Sequence, residues 1–379
     1  MPTSIPSLRR LRRALAPTLA TAMLLCSAAV DAQPNAPVTT AMGAELYETA
    51  CATCHGSDGR GRSQSLVGFE TPLPDFTDCD FATREPDLDW LATTLVDDRV
   101  RGFERTMPAF GEALSDEQIE SLVRHLRGFC RNPDWPRGDL NLPLAFFTEK
   151  AYPEDEALVE TTVAESGDAW THTFIWEQRF GRRNQMELSL PITRADLGTP
   201  DGWTTGTGDI AIAVKHILKH SFERGSILSI GGEVSLPTGD EDKGFGSAES
   251  VFEAHVLYGK VLGSDSFLQL QGIVEMPTGA GLDNELVTRA ALGKTWTAGG
   301  PFGRAWTPMI EVLGARPLAS GAESEWDVVP QFQVSLSKRQ HILANFGVRL
   351  PTTQTDERDA EFVIYLLWDW YDGGVLEGW

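Results

Sequence analysis

Residues 226–236 read Ser-Ile-Leu-Ser-Ile-Gly-Gly-Glu-Val-Ser-Leu: Leu228, Ile230, Gly232, Val234 and Leu236 share one side of an extended chain, and Ser229, Gly231, Glu233 and Ser235 the other. A period of two marks a β-strand with one apolar face. The alternation recurs in Phe252, Ala254, Val256 and Tyr258; in Leu268, Leu270, Gly272, Val274 and Met276; in Val328, Pro330, Phe332, Val334 and Leu336; in Ile342, Ala344, Phe346, Val348 and Leu350; and in Phe362, Ile364, Leu366, Trp368 and Trp370. Opposite them stand Glu253, His255, Gln269, Gln271, Glu275, Gln331, Gln333, Asn345 and Arg349. Segments of about ten residues, apolar outside and mixed polar inside, suit tilted strands that cross a membrane.

Twelve strands are expected, near 157–165, 169–180, 185–193, 207–218, 226–236, 250–262, 266–276, 286–297, 304–316, 326–337, 341–350 and 361–371. The even count suits an antiparallel up-and-down barrel. A soluble β-sandwich alternates as well, but twelve long strands without a conspicuous second buried face would overfill one. Leu190-Pro191-Ile192-Thr193, Leu236-Pro237-Thr238-Gly239, Met276-Pro277-Thr278-Gly279 and Leu350-Pro351-Thr352-Thr353 are expected to end the third, fifth, seventh and eleventh strands, hence at one rim. The loops after them are mostly long and acidic (Asp240, Glu241, Asp242; Asp356, Glu357, Asp359). The opposite turns are short and several are basic (Arg182, Arg183; Lys219, Arg224; Lys338, Arg339). That asymmetry matches long extracellular loops and short periplasmic turns.

The chain has 379 residues, with 54 Asp and Glu against 32 Lys and Arg, a formal charge of −22. This composition excludes disorder and collagen, and an acidic chain without a basic face disfavours nucleic acid as a partner. Arg9, Arg10, Arg12 and Arg13, then an apolar stretch from Leu15 to Ala29 and Val30-Asp31-Ala32, read as a signal peptide over residues 1–32. A retained anchor and a lipoprotein cleaved at Cys26 are the weaker readings, since the stretch is short of ~20 residues and Leu25 is bulky. The mature chain is then expected outside the cytoplasm.

Cys51-Ala52-Thr53-Cys54-His55 is a C-x-x-C-H match. Its spacing lets two thioethers hold one edge of a haem while the next residue's imidazole reaches the iron. A zinc or redox pair would use the same C-x-x-C, but zinc needs a second ligand pair and no other C-x-x-C or H-x-H is present. One covalent haem c is expected, bound by Cys51 and Cys54, with His55 on the iron. Residues 41–53 read as a helix, with Gly43 and Tyr47 one turn apart. Pro86–Asp97 reads as another helix with Pro86 in its first turn. Ser115-Asp116-Glu117-Gln118 is a capping box before Ile119, Leu122, Val123, Leu126 and Phe129 at helical spacing.

This order resembles class I c-type cytochromes over residues 40–132. In that family a methionine in the loop before the C-terminal helix closes the sixth iron position, and Met107 in Thr106-Met107-Pro108-Ala109-Phe110 matches it. Sulfur opposite imidazole raises the potential and leaves no open site, which disfavours a haem enzyme and favours electron transfer. Cys79 and Cys130 are candidates for a disulfide in an oxidising compartment, with two separate buried thiols as the alternative.

Pro133, Pro136, Pro143 and Pro153 with polar neighbours make residues 133–156 a proline-rich, extended linker, too rich in proline for a helix. The barrel is assigned to 157–379. It resembles the outer-membrane family associated with the meta-pathway of phenol degradation, through Gly208-Asp209-Ile210, Val234-Ser235-Leu236-Pro237-Thr238-Gly239-Asp240 and Gly244-Phe245-Gly246-Ser247, over about 205–280. That resemblance implies a channel for hydrophobic compounds. Trp379 resembles the aromatic end residue of such barrels, although it lies eight residues past the last expected strand.

Twelve strands ~4.8 Å apart and tilted ~40° enclose a backbone diameter of ~24 Å. A ninety-residue domain is ~31 Å across, so the haem domain is expected at the periplasmic mouth and not within. The fold class is therefore an all-α cytochrome domain followed by a twelve-stranded antiparallel transmembrane β-barrel. The expected function is monohaem electron transfer at the outer membrane, with periplasmic carriers and membrane lipid as partners and a small-molecule or metal redox substrate. Fused porin and cytochrome proteins of iron-oxidising bacteria resemble this plan. The alternative is a channel whose haem domain is a plug or sensor, with Glu187, Glu233, Glu253, Glu275, Arg289, Glu311 and Arg349 lining its lumen, more simply as interior salt bridges. Of His172, His216, His220, His255 and His341, no two form a spaced pair on one strand face near a carboxylate cluster, and they read as wall or turn residues.

Overall fold

The computed structural model describes residues 40–69, 72–96, 107–198, 202–297, 304–337 and 340–369. The expected signal peptide, Trp370 and Trp379, Asp97, and Lys338 and Arg339 lie outside them.

The N-terminal part is helical. Thr40–Leu46 runs through a π-helical turn, Tyr47–Cys51, into Ala52–His55, and is followed by Cys79–Arg84, Asp87–Val96 and Asp116–Arg127. The capping box forms in full: Ser115 Oγ accepts from Gln118 N at 3.4 Å and Ser115 N donates to Gln118 Oε1 at 2.8 Å. Ile119, Leu122, Val123 and Leu126 are buried. The first helix crosses this one at Gly43, where a Cβ would collide with the Ser121 carbonyl oxygen. Only a residue without a side chain permits so close a crossing.

Cys79 and Cys130 are joined, with their Cα atoms 5.1 Å apart and a sequence separation of 51. Closing a loop of that length removes about 4 kcal/mol of unfolded-chain entropy. Cys79→Ser with Cys130→Ser should therefore lower the melting temperature of the helical part markedly, followed by circular dichroism at 222 nm. Equal melting of variant and wild type would contradict this.

The rest is one closed antiparallel sheet. Its strands are β1 (Glu156–Ala164), β2 (Ala169–Phe180), β3 (Asn184–Asp196), β4 (Trp203–Thr207), β5 (Ile210–Ser221), β6 (Ser226–Leu236), β7 (Val251–Val261), β8 (Ser266–Pro277), β9 (Glu285–Lys294), β10 (Trp296–Thr297), β11 (Ala305–Pro317), β12 (Glu325–Ser335), β13 (Ile342–Pro351) and β14 (Glu361–Asp369). β4 and β10 are short additions beside β3 and β11. The other twelve, among the described residues, form the wall, which closes where β14 pairs with β1. Closure removes both sheet edges, the condition for a sheet to stand in lipid.

Phe174, Val214, Ile230, Phe252, Phe346 and Phe362 are exposed on the outer face, and Trp170, Trp203 and Trp326 towards one rim mirror Trp296 and Trp306 towards the other. An apolar band between aromatic girdles is the outside of an outer-membrane barrel. The protein sits in the outer membrane. Among the described residues no helix is long and apolar enough to cross a membrane.

One rim carries long loops, such as 237–250 and 352–360; the other carries short turns such as 181–183, 222–225 and 262–265. In the last, Ser264 and Asp265 adopt φ of 59° and 58°, the left-handed pair of a tight hairpin that matches strand twist. The expected strand end at Leu190-Pro191-Ile192-Thr193 needs correction: β3 runs on to Asp196 because β4 pairs with that extension, Asp196 opposite Trp203. The repeats at Leu236, Met276 and Leu350 do mark strand ends at the long-loop rim.

The linker packs against the inner wall of the barrel. Leu140, Leu142, Ala145, Ala151 and Tyr152 are buried, packed against Ile217, Ile227, Leu257, Phe267, Ala291 and Met309 from the inner wall. Residues 140–155 thread the lumen. An apolar surface inside the wall stabilises this strap by ~25 cal/mol for each Å² withdrawn from water.

Candidate haem site

Cys51 and Cys54 lie one helical turn apart, both half-buried and neither in a disulfide. Burial, and then the neighbouring Cys54, push the Cys51 thiol up to about 11. His55 follows directly, its ring 4.9 Å from that of Phe76 and stacked on it. Burial pulls its pKa down to about 4, so the imidazole is neutral at pH 7. Its Nδ1 is buried without a hydrogen-bond partner. A neutral imidazole is the form that ligates a metal.

The surroundings fix this segment. Tyr47, fully buried, donates its hydroxyl to the Gly56 carbonyl at 2.6 Å. Gly61 N donates to His55 O and Arg62 N to Cys54 O, both at 2.9 Å. Gly59, at φ 76°, has no room for a Cβ, which would lie 2.7 Å from the Phe129 ring. Phe76, Phe81, Trp90 and Phe129 pack against Cys51 and Leu126 in one cluster. Two thiols, a neutral imidazole with a stranded nitrogen and an aromatic apolar wall fit a covalently held haem.

Met107 is half-buried at the start of the loop that leads to Ser115, and Phe110 N ties that loop to Thr94 O at 3.0 Å. The chain thus places Cys51, Cys54 and His55 in one patch and sets Met107 on the loop before the last helix. Residues 97–106, which complete that stretch, lie outside the described residues.

The helical part is joined to the short-turn rim through the strap. Arg84 pairs with Asp155 at 2.6 Å and with Asp80 at 2.9 Å. Gly138 lies directly under the Arg84 carbonyl, where a Cβ would clash. Asp87 receives both Arg127 and Arg137, which hold its carboxyl below the usual range against the opposing effect of burial. Asp134 meets Arg182 and Arg183 of the β2–β3 turn at 3.2 and 3.1 Å.

Inside the barrel the strap is held by inward side chains, among them Glu311 and Arg289, which are expected in interior salt bridges and instead bind the strap's backbone. The Glu311 carboxylate, fully buried, accepts from the backbone amides of Phe146 and Phe147 at 3.1 Å and of Thr148 at 2.7 Å, and from Gln331 Nε2 at 2.6 Å. Arg289 donates to Phe147 O at 2.6 Å, Gln269 to Pro143 O at 2.9 Å, Tyr365 to Leu144 O at 2.7 Å and Lys215 to Lys150 O at 2.7 Å. Gly347 leaves the space that Phe146 fills. Only Arg349 behaves as expected, pairing with Asp327 at 2.7 Å and Glu361 at 3.2 Å. The signal that was there to be read is Leu144-Ala145-Phe146-Phe147: a strap bound for water has no use for two adjacent phenylalanines.

Residues 38–126 match the family model described as cytochrome c oxidase, cbb3-type, subunit III. No curated protein matches the chain. Among solved structures, an outer membrane channel from Pseudomonas putida F1 superposes with a TM-score of 0.42 at 10% identity, covering 60% of this chain and 100% of that one. The KdgM porin gives 0.38 at 10% identity, with 57% and 99% covered, and the NanC porin 0.40 at 9%, with 56% and 98% covered. Residues 38–126 thus form a cytochrome c-type domain, and the closed twelve-stranded wall that follows it is an outer-membrane-type barrel on its own topology and outward apolar face.

Proposed function

We propose that this is a monohaem electron-transfer protein of the outer membrane. Its haem is held by Cys51 and Cys54, with His55 and Met107 on the iron, in a domain on the periplasmic side of a barrel that its own linker closes. The observation that carries this reading is the buried His55, its Nδ1 without a hydrogen-bond partner, directly after Cys51 and Cys54 in a domain tied to the short-turn rim. When bound, the haem supplies a one-electron couple. The chain's own residues exclude water from it with Phe76, Trp90 and Phe129, hold His55 deprotonated by burial, and offer a soft thioether that favours the ferrous state. Periplasmic electron carriers are its partners, and no catalytic turnover is assigned to it.

Met107→Ala tests the ligand set. The variant should lose the near-infrared sulfur-to-iron band, shift to a lower potential and bind carbon monoxide, whereas the wild type does not. A spectrum and potential unchanged from wild type would remove Met107 from the iron and reopen haem catalysis.

The second reading, a channel of the kind associated with phenol meta-pathway proteins, is favoured by the barrel's closure alone. The strap across the lumen weighs against free passage. Reconstituted wild-type liposomes separate the two: solute flux independent of redox state supports the channel, and its absence supports the electron carrier.

A further inference from the structure

At the long-loop rim, the loop 237–250 turns back against the inner face of the wall. Directly opposed residues on adjacent strands point to the same face of a sheet. Gly206 of β4, opposite Thr193 of β3, therefore faces the lumen, since Ile192 and Trp203 at the alternate positions are exposed outside. A Cβ on Gly206 would lie 2.5 Å from the Phe245 ring, and one on Gly208 would lie 2.8 Å from the Pro191 ring and 3.1 Å from the Phe245 carbonyl oxygen. Phe245 thus lies on the lumenal face of β3 and β4. Gly239 and Gly246 meet backbone to backbone, where a Cβ on either would lie 2.7 Å from the Cα of the other. So close a fold-in needs residues without side chains.

A single carboxylate latches this loop. Asp209 accepts from Gly239 N at 2.9 Å and from Ser247 N and Oγ at 2.7 Å each, so it bridges the outgoing and returning arms. Hydrogen bonds to an ionised acceptor are roughly twice as strong as those between neutral groups. Asp240 adds a bond to the edge of β4, its carboxylate accepting from Thr207 N at 3.0 Å. Asp209 itself stands between β4 and β5, outside both strands, so the wall's ladder does not depend on it.

A second loop, 352–360, is tied to the inner face from elsewhere in the ring. Asp327 of β12 is buried on the lumenal side, next to the exposed Trp326, and Arg358 reaches it from the loop at 2.7 Å and Glu325 at 3.3 Å. Asp327 also keeps Arg349 at 2.7 Å. Between β5, which follows Asp209, and β12 stand β6, β7, β8, β9 and β11 on one side and β3, β2, β1, β14 and β13 on the other. The two loops therefore fold in from opposite walls.

We propose that loops 237–250 and 352–360 are the two leaves of a gate folded into the outer mouth of the barrel, latched by Asp209 and by Arg358 on Asp327. Ser189 and Ser235, inward residues beneath the first leaf, remain half-buried, so the leaves narrow the mouth and do not seal it. Neither latch belongs to the strand ladder, and the leaves swing out while the wall stays closed. The strap enters from the short-turn side, so the gate controls what reaches it from outside the cell. This device is independent of the haem reading.

The test uses the full haem-loaded chain in the outer membrane of intact cells, with Ser189→Cys as a reporter two residues below Pro191 on the lumenal face of β3. Cells are pulsed with a small cationic methanethiosulfonate that does not cross membranes. The protein is then denatured, and the thiol left over is counted with fluorescein maleimide against the chain without the reporter. Asp209→Ala should raise the rate of modification at least fivefold, Arg358→Gln severalfold, and the two together more than either. Asp242→Asn, exposed on the first leaf and outside its latch, should leave the rate unchanged. Heat-dependent gel mobility checks that each variant is folded. If Asp209→Ala is not, Asp209→Asn should raise the rate in its place, since it keeps an acceptor for Gly239 N and sets a donor against Ser247 N. A rate unchanged in the double variant, or raised as much by Asp242→Asn as by Asp209→Ala, would overturn the gate. A rate that Arg358→Gln alone leaves unchanged would overturn its second leaf.

Discussion

Glu311→Ala should turn a closed barrel into a conducting one. The carboxylate accepts from three successive amides of the strap, and an amide left buried without an acceptor costs ~1–3 kcal/mol. The strap is thus loosened by several kcal/mol at its middle. Gln269 on Pro143 and Lys215 on Lys150 still anchor it to either side, Tyr365 still holds the Leu144 carbonyl, and Arg289 still holds the Phe147 carbonyl, but the three amides themselves are left without Glu311. In planar bilayers the wild type is expected to be silent, and Glu311→Ala to show channel openings. Glu311→Gln is expected to fall between them, since its amide keeps one acceptor oxygen and sets a donor against the strap's donors. The wall's own ladder is untouched, so all three should keep the gel mobility of a folded barrel. Openings in the wild type, or silence in a folded Glu311→Ala, would show that the strap does not close the lumen.

Cys51→Ala with Cys54→Ala should abolish covalent haem altogether. Each thioether needs its own sulfur, and the chain offers no substitute: the only other cysteines of the helical part, Cys79 and Cys130, are bonded to each other. Either single variant keeps one link and should retain colour at reduced yield. The double variant should keep the barrel's mobility while its denatured band stains for no haem. Haem staining of the denatured double variant would refute the assignment of both cysteines.

The barrel was legible because alternation is a local signal. Each strand needs only its own inward and outward faces to be recognised, and residues 169–180 and 226–236 are read to the residue. The π-turn at Tyr47–Cys51 was not, since a single-turn widening of a helix leaves the spacing of its apolar residues almost unchanged. The place of the strap was not legible for a different reason. Proline content argues against a helix, and residues 141–155 hold neither helix nor strand. Whether an extended segment lies in water or in a lumen depends on the wall around it, and Glu311 lies 163 residues from the Thr148 amide it binds. Backbone acceptors and donors have no letter in the sequence, so a carboxylate destined for amides reads like one destined for arginine. The latch of the outer loop is invisible for the same reason: Asp209 and Ser247, separated by 38 in sequence, become neighbours only once the loop has folded in.

The most direct test of the whole account is a denaturing gel of the purified outer-membrane fraction, run with and without boiling and stained for haem peroxidase activity. One haem-positive band that migrates faster before boiling than after it is predicted, because a folded barrel and a covalent haem belong to the same polypeptide. A haem-positive band whose mobility ignores boiling, or a heat-modifiable band that never stains, would contradict it.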